Sequence, residues 1–156
     1  MALVRILVDG YSLLHCWEGL APGKPRHSAA ARDELVHVLT QYQDATGTPI
    51  TIVFDGSGAP PGTPKDGRKI AVEVLYSKAG QTADDIIERA AHRLSAYGDV
   101  LVVTDDLAER DTVVGMGSMA STCFNFITDV ENALQELAHG LKEHNRREVS
   151  RFKNAR

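Results

Sequence analysis

Short apolar runs, each about as long as a strand, recur along the chain between segments with helical spacing. Most of these runs are apolar almost throughout, and one alternates between Val72 and Val74 instead. Continuous apolar strands are typical of a parallel sheet that is covered on both faces. We therefore predict strands at residues 2–8, 49–54, 71–76 and 99–104.

Helices are predicted between these strands from their capping residues. Ser28 precedes a run with apolar residues three and four positions apart, and the run ends before Gly47. Serine and glycine are preferred at these two ends of a helix. Thr82 precedes a second helix, which we expect to reach about Tyr97.

The last third of the chain carries a weaker pattern. Brief apolar and glycine-punctuated stretches predict a helical turn at 107–111 and an edge strand within 113–120. Ser121 is predicted to cap a final helix that reaches about Leu141. The apolar face of this helix is expected to consist of Phe124, Ile127, Val130, Leu134 and Leu137.

The alternation of strands and helical segments predicts an α/β fold. Apolar strands that are connected through helices form an open, mainly parallel sheet with helices on both faces. A chain of 156 residues is long enough to bury a core and fits a single domain. We expect this domain to occupy residues 1–141, followed by a basic tail at 142–156.

Composition narrows the class of protein. Moderate charge and 43% hydrophobic residues are typical of a globular chain rather than a disordered one. Cys16 and Cys123 are too few for a disulfide framework, which fits a reducing cytosol. The first apolar run contains Arg5 and Asp9, unlike a secretory signal, and no run reaches the roughly 18 apolar residues of a membrane helix. We expect a cytoplasmic protein.

Charge is distributed unevenly along the chain. The net charge is −4, but residues 142–156 contain six Lys or Arg against two Glu, so this tail carries +4 and the remainder −8. An acidic body suits a metal site, and a basic segment suits an anionic partner. A solvated terminal helix explains the tail equally well.

Acidic residues follow the predicted strands or open a predicted helix. Ligands of parallel α/β sheets bind beyond the carboxyl ends of the strands, so these acids are candidates for one common site. Carboxylates that lie close together repel one another, and oxygen-only ligands favour Mg²⁺ or Mn²⁺ over zinc. Such a site can activate water and clamp a phosphodiester. The acids concerned are Asp9, Asp55, Asp84, Asp85, Asp105 and Asp106.

Each acid taken alone has a simpler explanation. An Asp after a strand is often a turn residue, especially at Asp55, and an Asp in a first helical turn often only favours the helix dipole. Other kinds of site have less support. Ser12 does not lie in a complete Gly-x-Ser-x-Gly nucleophile elbow, Tyr11 stands where a haloacid-dehalogenase-type phosphatase needs a second Asp, and no phosphate-binding glycine motif follows a strand. Convergence of several acids at one edge favours a metal-dependent site.

All of these acids except Asp55 lie within three stretches of distinctive sequence: Ile6-Leu7-Val8-Asp9-Gly10-Tyr11, Thr82-Ala83-Asp84-Asp85-Ile86-Ile87-Glu88 and Val102-Val103-Thr104-Asp105-Asp106. The stretches resemble the successive motifs of the YacP-like NYN domains, within the PIN-like nuclease superfamily. Order and spacing match from about residue 3 to residue 140. The resemblance implies a three-layer α/β/α fold and metal-dependent cleavage of RNA, which in some members is linked to translation.

The resemblance also assigns roles to residues. Asp9 matches the first-strand acid of the family, Asp84 and Asp85 match its central acidic pair, and Asp106 matches its acid after the fourth strand. These four are the expected catalytic residues. The expected ligands of Mg²⁺ or Mn²⁺ are Asp9, Asp85, Asp105 and Asp106.

The chain departs from the family pattern at two positions. Ser12 stands where asparagine is usual, and Asp105 stands where a small polar residue is usual.

Basic side chains are expected to contact phosphates, although they also serve solubility. The expected substrate-binding residues are Ser12, Lys65, Arg68, Lys69, Ser118, Arg146 and Arg147.

Together these features predict a metal-dependent endoribonuclease that acts on single-stranded RNA or mRNA, with a link to translation or mRNA decay. The alternative is a catalytically weak or inactive module of the same fold that binds RNA or the ribosome. A phosphatase for small phosphomonoesters is a third option. The sequence leaves the oligomeric state open.

Overall fold

The structure is a computed structural model that describes residues 3–56 and 71–154, with side chains described as far as residue 151. Strands and helices alternate along this part of the chain, as predicted. In chain order the elements are β1 (Leu3–Asp9), α1 (Gly10–Cys16), α2 (Ala29–Thr46), β2 (Ile50–Phe54), β3 (Glu73–Tyr76), α3 (Ala83–Leu94), β4 (Asp99–Val103), α4 (Leu107–Gly115), β5 (Met119–Ser121) and α5 (Cys123–Asn154).

One five-stranded sheet has the order β3-β2-β1-β4-β5, and every neighbouring pair in it is parallel. β1 lies at the centre and pairs with β2 on one side and β4 on the other. The carboxyl ends of all strands therefore meet at one edge of the sheet. The predicted α/β class with a parallel sheet is confirmed.

Alternate residues of the central strands bury into two separate layers. Ile6 and Val8 point into a cluster that also contains residues of α1, α2 and α5, whereas Leu7 points into a cluster with α3 and α4 residues. Successive strand side chains face opposite sides of a sheet, so a strand that is apolar throughout must be covered twice. The predicted three-layer α/β/α arrangement is confirmed.

The capping residues that were predicted for two helices hold in the structure. The Ser28 side chain accepts the backbone N–H of Ala31 at the start of α2, and Gly47 ends this helix with a φ of 75°. The Thr82 side chain accepts the backbone N–H of Asp85 at the start of α3. α3 ends at Leu94, three residues short of the predicted end.

Two elements differ from the sequence prediction near β1 and after β4. The short helix α1 follows β1 directly, because the Asp9 side chain caps it by accepting the N–H of Ser12. The predicted helical turn at 107–111 is instead a full helix that runs to Gly115. The edge strand is correspondingly short and occupies only Met119–Ser121.

The final helix is longer than predicted, and its buried face matches the predicted one at Ile127 and Val130 but not at Phe124 and Leu137. α5 begins at Cys123 and continues past position 141 without a break to Asn154. Ser121 ends β5, and Thr122 accepts the N–H of Asn125 in its place. Phe124 is 70% exposed and Leu137 is 47% exposed, whereas the buried side chains are Cys123, Phe126, Ile127 and Val130.

No helix within residues 3–56 and 71–154 is long and apolar enough to cross a membrane.

Candidate active site

A cleft of about 810 Å³ opens at the carboxyl edge of the sheet. Its walls come from the ends of β1, β2 and β4 and from the first turns of α1 and α3. Five of the lining residues are aspartates, as expected for acids that follow parallel strands. The lining residues are Asp9, Tyr11, Ser12, His15, His27, Asp55, Gly56, Thr82, Ala83, Asp84, Asp105 and Asp106.

Asp9 ends the central strand and is the most buried acid of the cleft. Its carboxylate accepts the Ser12 N–H at 3.4 Å, the Ser12 hydroxyl at 3.0 Å and the Thr104 hydroxyl at 3.4 Å. Burial raises the pKa of Asp9, and the hydrogen bonds from Ser12 and Thr104 oppose that rise. Ser12 therefore orients this carboxylate, and its hydroxyl donates to Asp9 rather than standing free for a substrate.

Thr104 joins the acids of two neighbouring strands. Its side chain is fully buried, and its hydroxyl donates to Asp9 while accepting the N–H of Asp106 at 3.2 Å. The Asp106 carboxylate accepts the N–H groups of Ala108 and Glu109 and so caps α4. Asp9 and Asp106 are thus held in a fixed relation by one hydroxyl.

Asp84 approaches the same point from the first turn of α3. Burial, followed by the negative charges of Asp9 and Asp106, raises the pKa of Asp84 to about 6. Glu88 and Asp55 add smaller effects in the same direction. Asp84 thus lies close enough to acids from β1 and from the start of α4 to be repelled by both.

The structure separates Asp84 from Asp85, which the sequence places together. The Asp85 carboxylate accepts the N–H of Thr82 at 3.0 Å, which completes a capping box at the start of α3. Asp85 is exposed and is not among the residues that line the cleft. In the structure it closes a helix end instead of joining the other acids.

Asp105 and Asp55 line the cleft with one oxygen already engaged. Asp105 Oδ1 accepts the N–H of Cys123 at 2.9 Å and so fixes the start of α5. Asp55 Oδ1 accepts the hydroxyl of Ser77 at 2.7 Å. Asp55, which the sequence favours as a simple turn residue, faces the same cleft as Asp9 and Asp84.

Sequence reasoning missed a second, deeper acidic pair beside the cleft. Glu109 of α4 is 4% exposed, and its Oε1 has no hydrogen-bond partner in the described part of the chain. Burial and a hydrogen bond with Glu88 raise the pKa of Glu109, and the charges of Asp84 and Asp106 add to the rise. A glutamate at the third position of a helix looks like a simple first-turn acid in sequence, so no local signal marks it.

Two histidines of the cleft were also missed. His15 lies on α1 and His27 lies in the loop before α2, and both line the cleft from the side of Tyr11. The six histidines are scattered along the sequence, and no motif marks these two. They come together only because α1 folds back toward the start of α2.

The predicted substrate-binding residues lie in several places. Ser12 lines the cleft, and Lys65, Arg68 and Lys69 fall outside the described residues. Ser118 does not lie near the acids. It precedes β5, whose first residue pairs with Leu101 in the middle of β4, so Ser118 lies on the amino side of the sheet.

Arg146 and Arg147 are also remote from the acids. Both are exposed on α5, and α5 begins at Cys123, whose N–H contacts Asp105. A helix rises about 1.5 Å per residue, so these arginines lie about 35 Å along the helix from that contact. They are not positioned to contact a phosphate in the cleft.

The donor set of the cleft fits a hard divalent cation. The lining acids are all carboxylates, no cysteine is among them, and their mutual repulsion is visible in the raised pKa of Asp84. Within residues 3–56 and 71–154, no three His, Cys, Asp or Glu side chains are close enough to hold a metal ion unaided. Mg²⁺ commonly binds through only one or two carboxylates and keeps several waters, a mode that needs no closed cage.

A parallel sheet with acids collected at its carboxyl edge defines a nuclease-like α/β domain. The chain belongs to the YacP-like NYN domain family, whose model matches residues 6–155. It is 32% identical over 127 residues to the uncharacterized protein YacP of Bacillus subtilis (strain 168), covering 81% of this chain and 74% of that protein. Its fold is similar to the crystal structure of Rae1 (YacP) from Bacillus subtilis, with a TM-score of 0.77 and 28% identity over 92% of this chain and 81% of that one. A mutant of the same protein gives a TM-score of 0.73 at 27% identity, covering 89% and 81%.

Proposed function

We propose that the chain is a Mg²⁺- or Mn²⁺-dependent endoribonuclease that hydrolyses phosphodiester bonds of RNA in the acidic cleft. One observation carries the proposal: Asp9, Asp84 and Asp106, from three different elements, meet in one cleft of an NYN-family chain. An acidic cleft repels phosphate, so RNA cleavage there requires a neutralising cation. Single-stranded RNA, including mRNA, is the substrate we propose.

In this proposal the residues of the cleft have separate roles in cation binding, orientation and proton transfer. A divalent cation, when bound by Asp9 and Asp106, supplies charge stabilisation of phosphoryl oxygens and lowers the pKa of a water. Thr104 and Ser12 hold the Asp9 carboxylate in one orientation through their hydroxyls. Asp84 enters the same cleft from the first turn of α3, where its carboxylate would accept the proton of the attacking water.

The test is cleavage of end-labelled single-stranded RNA with Mg²⁺ or Mn²⁺. We expect Asp9→Asn and Asp84→Asn to lower kcat by about 10²- to 10⁴-fold, the usual effect of removing an acid–base group. Asp111→Asn, on the exposed side of α4, is the matched charge control and should retain full activity. Equal activity of the wild-type and Asp9→Asn proteins, with and without metal, would sink the proposal.

Asp85→Asn separates the sequence assignment from the structural one. If Asp85 acts mainly as a helix cap, its asparagine variant keeps a capping oxygen and most of the activity. If Asp85 holds the metal, its loss of activity equals that of Asp84→Asn. A second readout is thermal unfolding, because a cation that binds the folded cleft raises the Tm of the wild type more than that of Asp84→Asn.

A second candidate function rests on α5. Its exposed part carries Arg146, Arg147 and Arg151, and the cleft has no preformed group of three metal ligands within the described residues. Both features suit a catalytically weak or inactive module that binds RNA or the ribosome through its basic tail. Salt-sensitive RNA binding without cleavage, retained in Asp9→Asn and lost on deletion of residues 142–156, would favour this candidate.

A further inference from the structure

The cleft that holds the acids also has an aromatic wall. The rings of Tyr11 and His27 have centroids 4.2 Å apart, and His15 stands edge-on to His27 at 5.3 Å. Behind Tyr11, Phe54 lies at 5.0 Å, and Tyr76 stacks on Phe54 at 5.5 Å. The two imidazoles are exposed at the cleft while Tyr11 is half-buried beneath them, so the wall presents aromatic surface to the opening.

This wall is held in place before any ligand arrives. Arg32 of α2 donates to the Tyr11 hydroxyl at 3.3 Å and to the backbone oxygen of His27 at 2.6 Å. Ser28, the residue after His27, caps α2. The His27 backbone and the Tyr11 ring are therefore fixed by the same guanidinium.

The loop that carries His27 is also tied down from its other side. The Arg26 guanidinium donates to the backbone oxygens of Leu14 at 3.2 Å, Trp17 at 3.1 Å and Ala21 at 2.6 Å. The Ala21 N–H donates to Glu34 of α2 at 2.7 Å. A loop with this many internal bonds keeps His27 in one place, which lowers the entropy cost of ligand binding.

The negative charge and the aromatic lining of the cleft restrict the kind of ligand that it can bind. Five aspartates face the cleft, so an anionic group is repelled from most of its surface. A neutral, flat aromatic group avoids that repulsion and gains contact with the exposed imidazole rings and the half-buried phenol ring. Unpaired nucleobases have these properties, and stacking on aromatic side chains is how proteins hold single-stranded RNA.

We propose that His27, His15 and Tyr11 form a nucleobase-stacking subsite that holds one unpaired base of RNA beside the acids. The inference rests on the proposed function, because the acids act on the phosphate next to the base that is held. Tyr11 and Asp9 flank Gly10 at the junction of β1 and α1, so a base on this wall places its adjoining phosphate near the acids. The subsite restricts the substrate to single strands, because a paired base cannot reach the wall.

The test measures binding of RNA hexamers to Asp84→Asn protein with Mn²⁺, by fluorescence anisotropy, because this inactive variant keeps Asp9 and Asp106, which would hold the cation. In one series of hexamers each position in turn lacks its base. We expect one abasic position to weaken binding by about 5- to 150-fold. His27→Ala should weaken the complete hexamer equally, and its combination with that abasic position should cause no further loss. His27→Phe should restore binding, because phenylalanine keeps the stacking face.

His37→Ala is the matched control, since His37 is exposed on α2, pairs with Gln41 on the same helix and does not line the cleft. Circular dichroism establishes that each variant folds. The subsite would be overturned if every abasic hexamer bound equally well, or if the losses of affinity from His27→Ala and from the abasic position were additive. Failure of His27→Phe to restore binding, or absence of any hexamer binding, would also overturn it.

Cleavage assays on proteins in which all the acids of the cleft are intact distinguish the subsite proposal from the nuclease proposal. Metal-dependent cleavage with a KM that His27→Ala leaves unchanged would overturn the subsite but preserve the nuclease. The opposite result is that the losses of affinity from His27→Ala and from the abasic position do not add, while the wild type cleaves no RNA. This result would preserve the subsite and overturn the nuclease proposal.

Discussion

Gly10 explains at the scale of one residue why a glycine follows the first acid. A Cβ atom at this position would overlap the ring of Phe54 and lie 3.0 Å from Cγ2 of Ile52. The missing side chain lets the start of α1 lie directly on β2, and Asp9 immediately precedes it. The Asp-Gly pair is therefore a packing requirement as well as the end of a strand.

We predict that Gly10→Ala destabilises the fold by about 1–3 kcal/mol, the usual cost of overpacking a core. The reason is that Phe54 is fully buried and has no free space into which to move. Urea unfolding measures the change. Gly19→Ala is the control, because nothing lies within 4 Å of a Cβ there, and it should stay within about 0.5 kcal/mol of the wild type. An unchanged urea midpoint for Gly10→Ala would contradict the prediction, because it would mean that β2 can shift away from the added Cβ without loss of stability.

At the scale of elements, the sequence predicts what local chemistry determines. Strand positions and the caps at Ser28, Gly47 and Thr82 follow from neighbouring residues, and each of them is confirmed. The short helix α1 was missed because its cap, Asp9, also looks like a residue that ends a strand. The spacing of Thr82 and Asp85 is that of a capping box, so this signal was available in the sequence.

The rest of the site depends on contacts between distant segments. Glu109 is buried because α4 packs beside α3. His27 reaches Tyr11 through a loop whose shape the Arg26 side chain determines. No periodicity or motif within a single segment carries these relations, so the sequence alone could not supply them.

α5 divides into a buried part and a part outside the core. Its fully buried side chains end at Val130, Leu134 packs partly, and no residue from 135 to 151 is buried. We predict that ending the chain after Leu141 changes the free energy of unfolding by less than about 1 kcal/mol, because none of the removed side chains that the structure describes is buried. Denaturant unfolding of the full and shortened chains gives the measurement.

The matched variant for this prediction lies in the buried part of the same helix. Phe126 is 1% exposed, so Phe126→Ala should cost about 3–5 kcal/mol. A shortened chain as unstable as Phe126→Ala would show that the exposed part of α5 supports the domain.

At the scale of the whole molecule, repulsion among the carboxylates of the cleft makes the stability of the fold depend on pH. The pKa of Asp84 rises from 3.8 to about 6 on folding, so the folded state binds the proton more tightly than the unfolded state. Stability therefore falls as pH increases from about 4 to about 6 and is not regained above that range. Glu109, whose pKa is also raised, acts in the same direction.

We predict that Asp84→Asn raises the Tm by a few degrees at pH 8 in the absence of divalent metal, and by less at pH 4.5. The asparagine removes an ionised group that Asp9 and Asp106 repel, and at low pH the wild-type group is already neutral. Thermal unfolding at the two pH values, with Asp111→Asn as the control, measures the difference. A Tm gain of the same size at both pH values would point to packing rather than charge.

The central position of β1 also has a consequence for how the molecule acquires its fold. β1 pairs with β2 about 45 residues later and with β4 about 95 residues later, and the bond from Thr104 to Asp9 spans the same separation. Contacts this distant in sequence slow folding, because the intervening chain must be ordered first. During synthesis Asp9 precedes Thr104 by 95 residues, so the cleft can form only after β4 has been made.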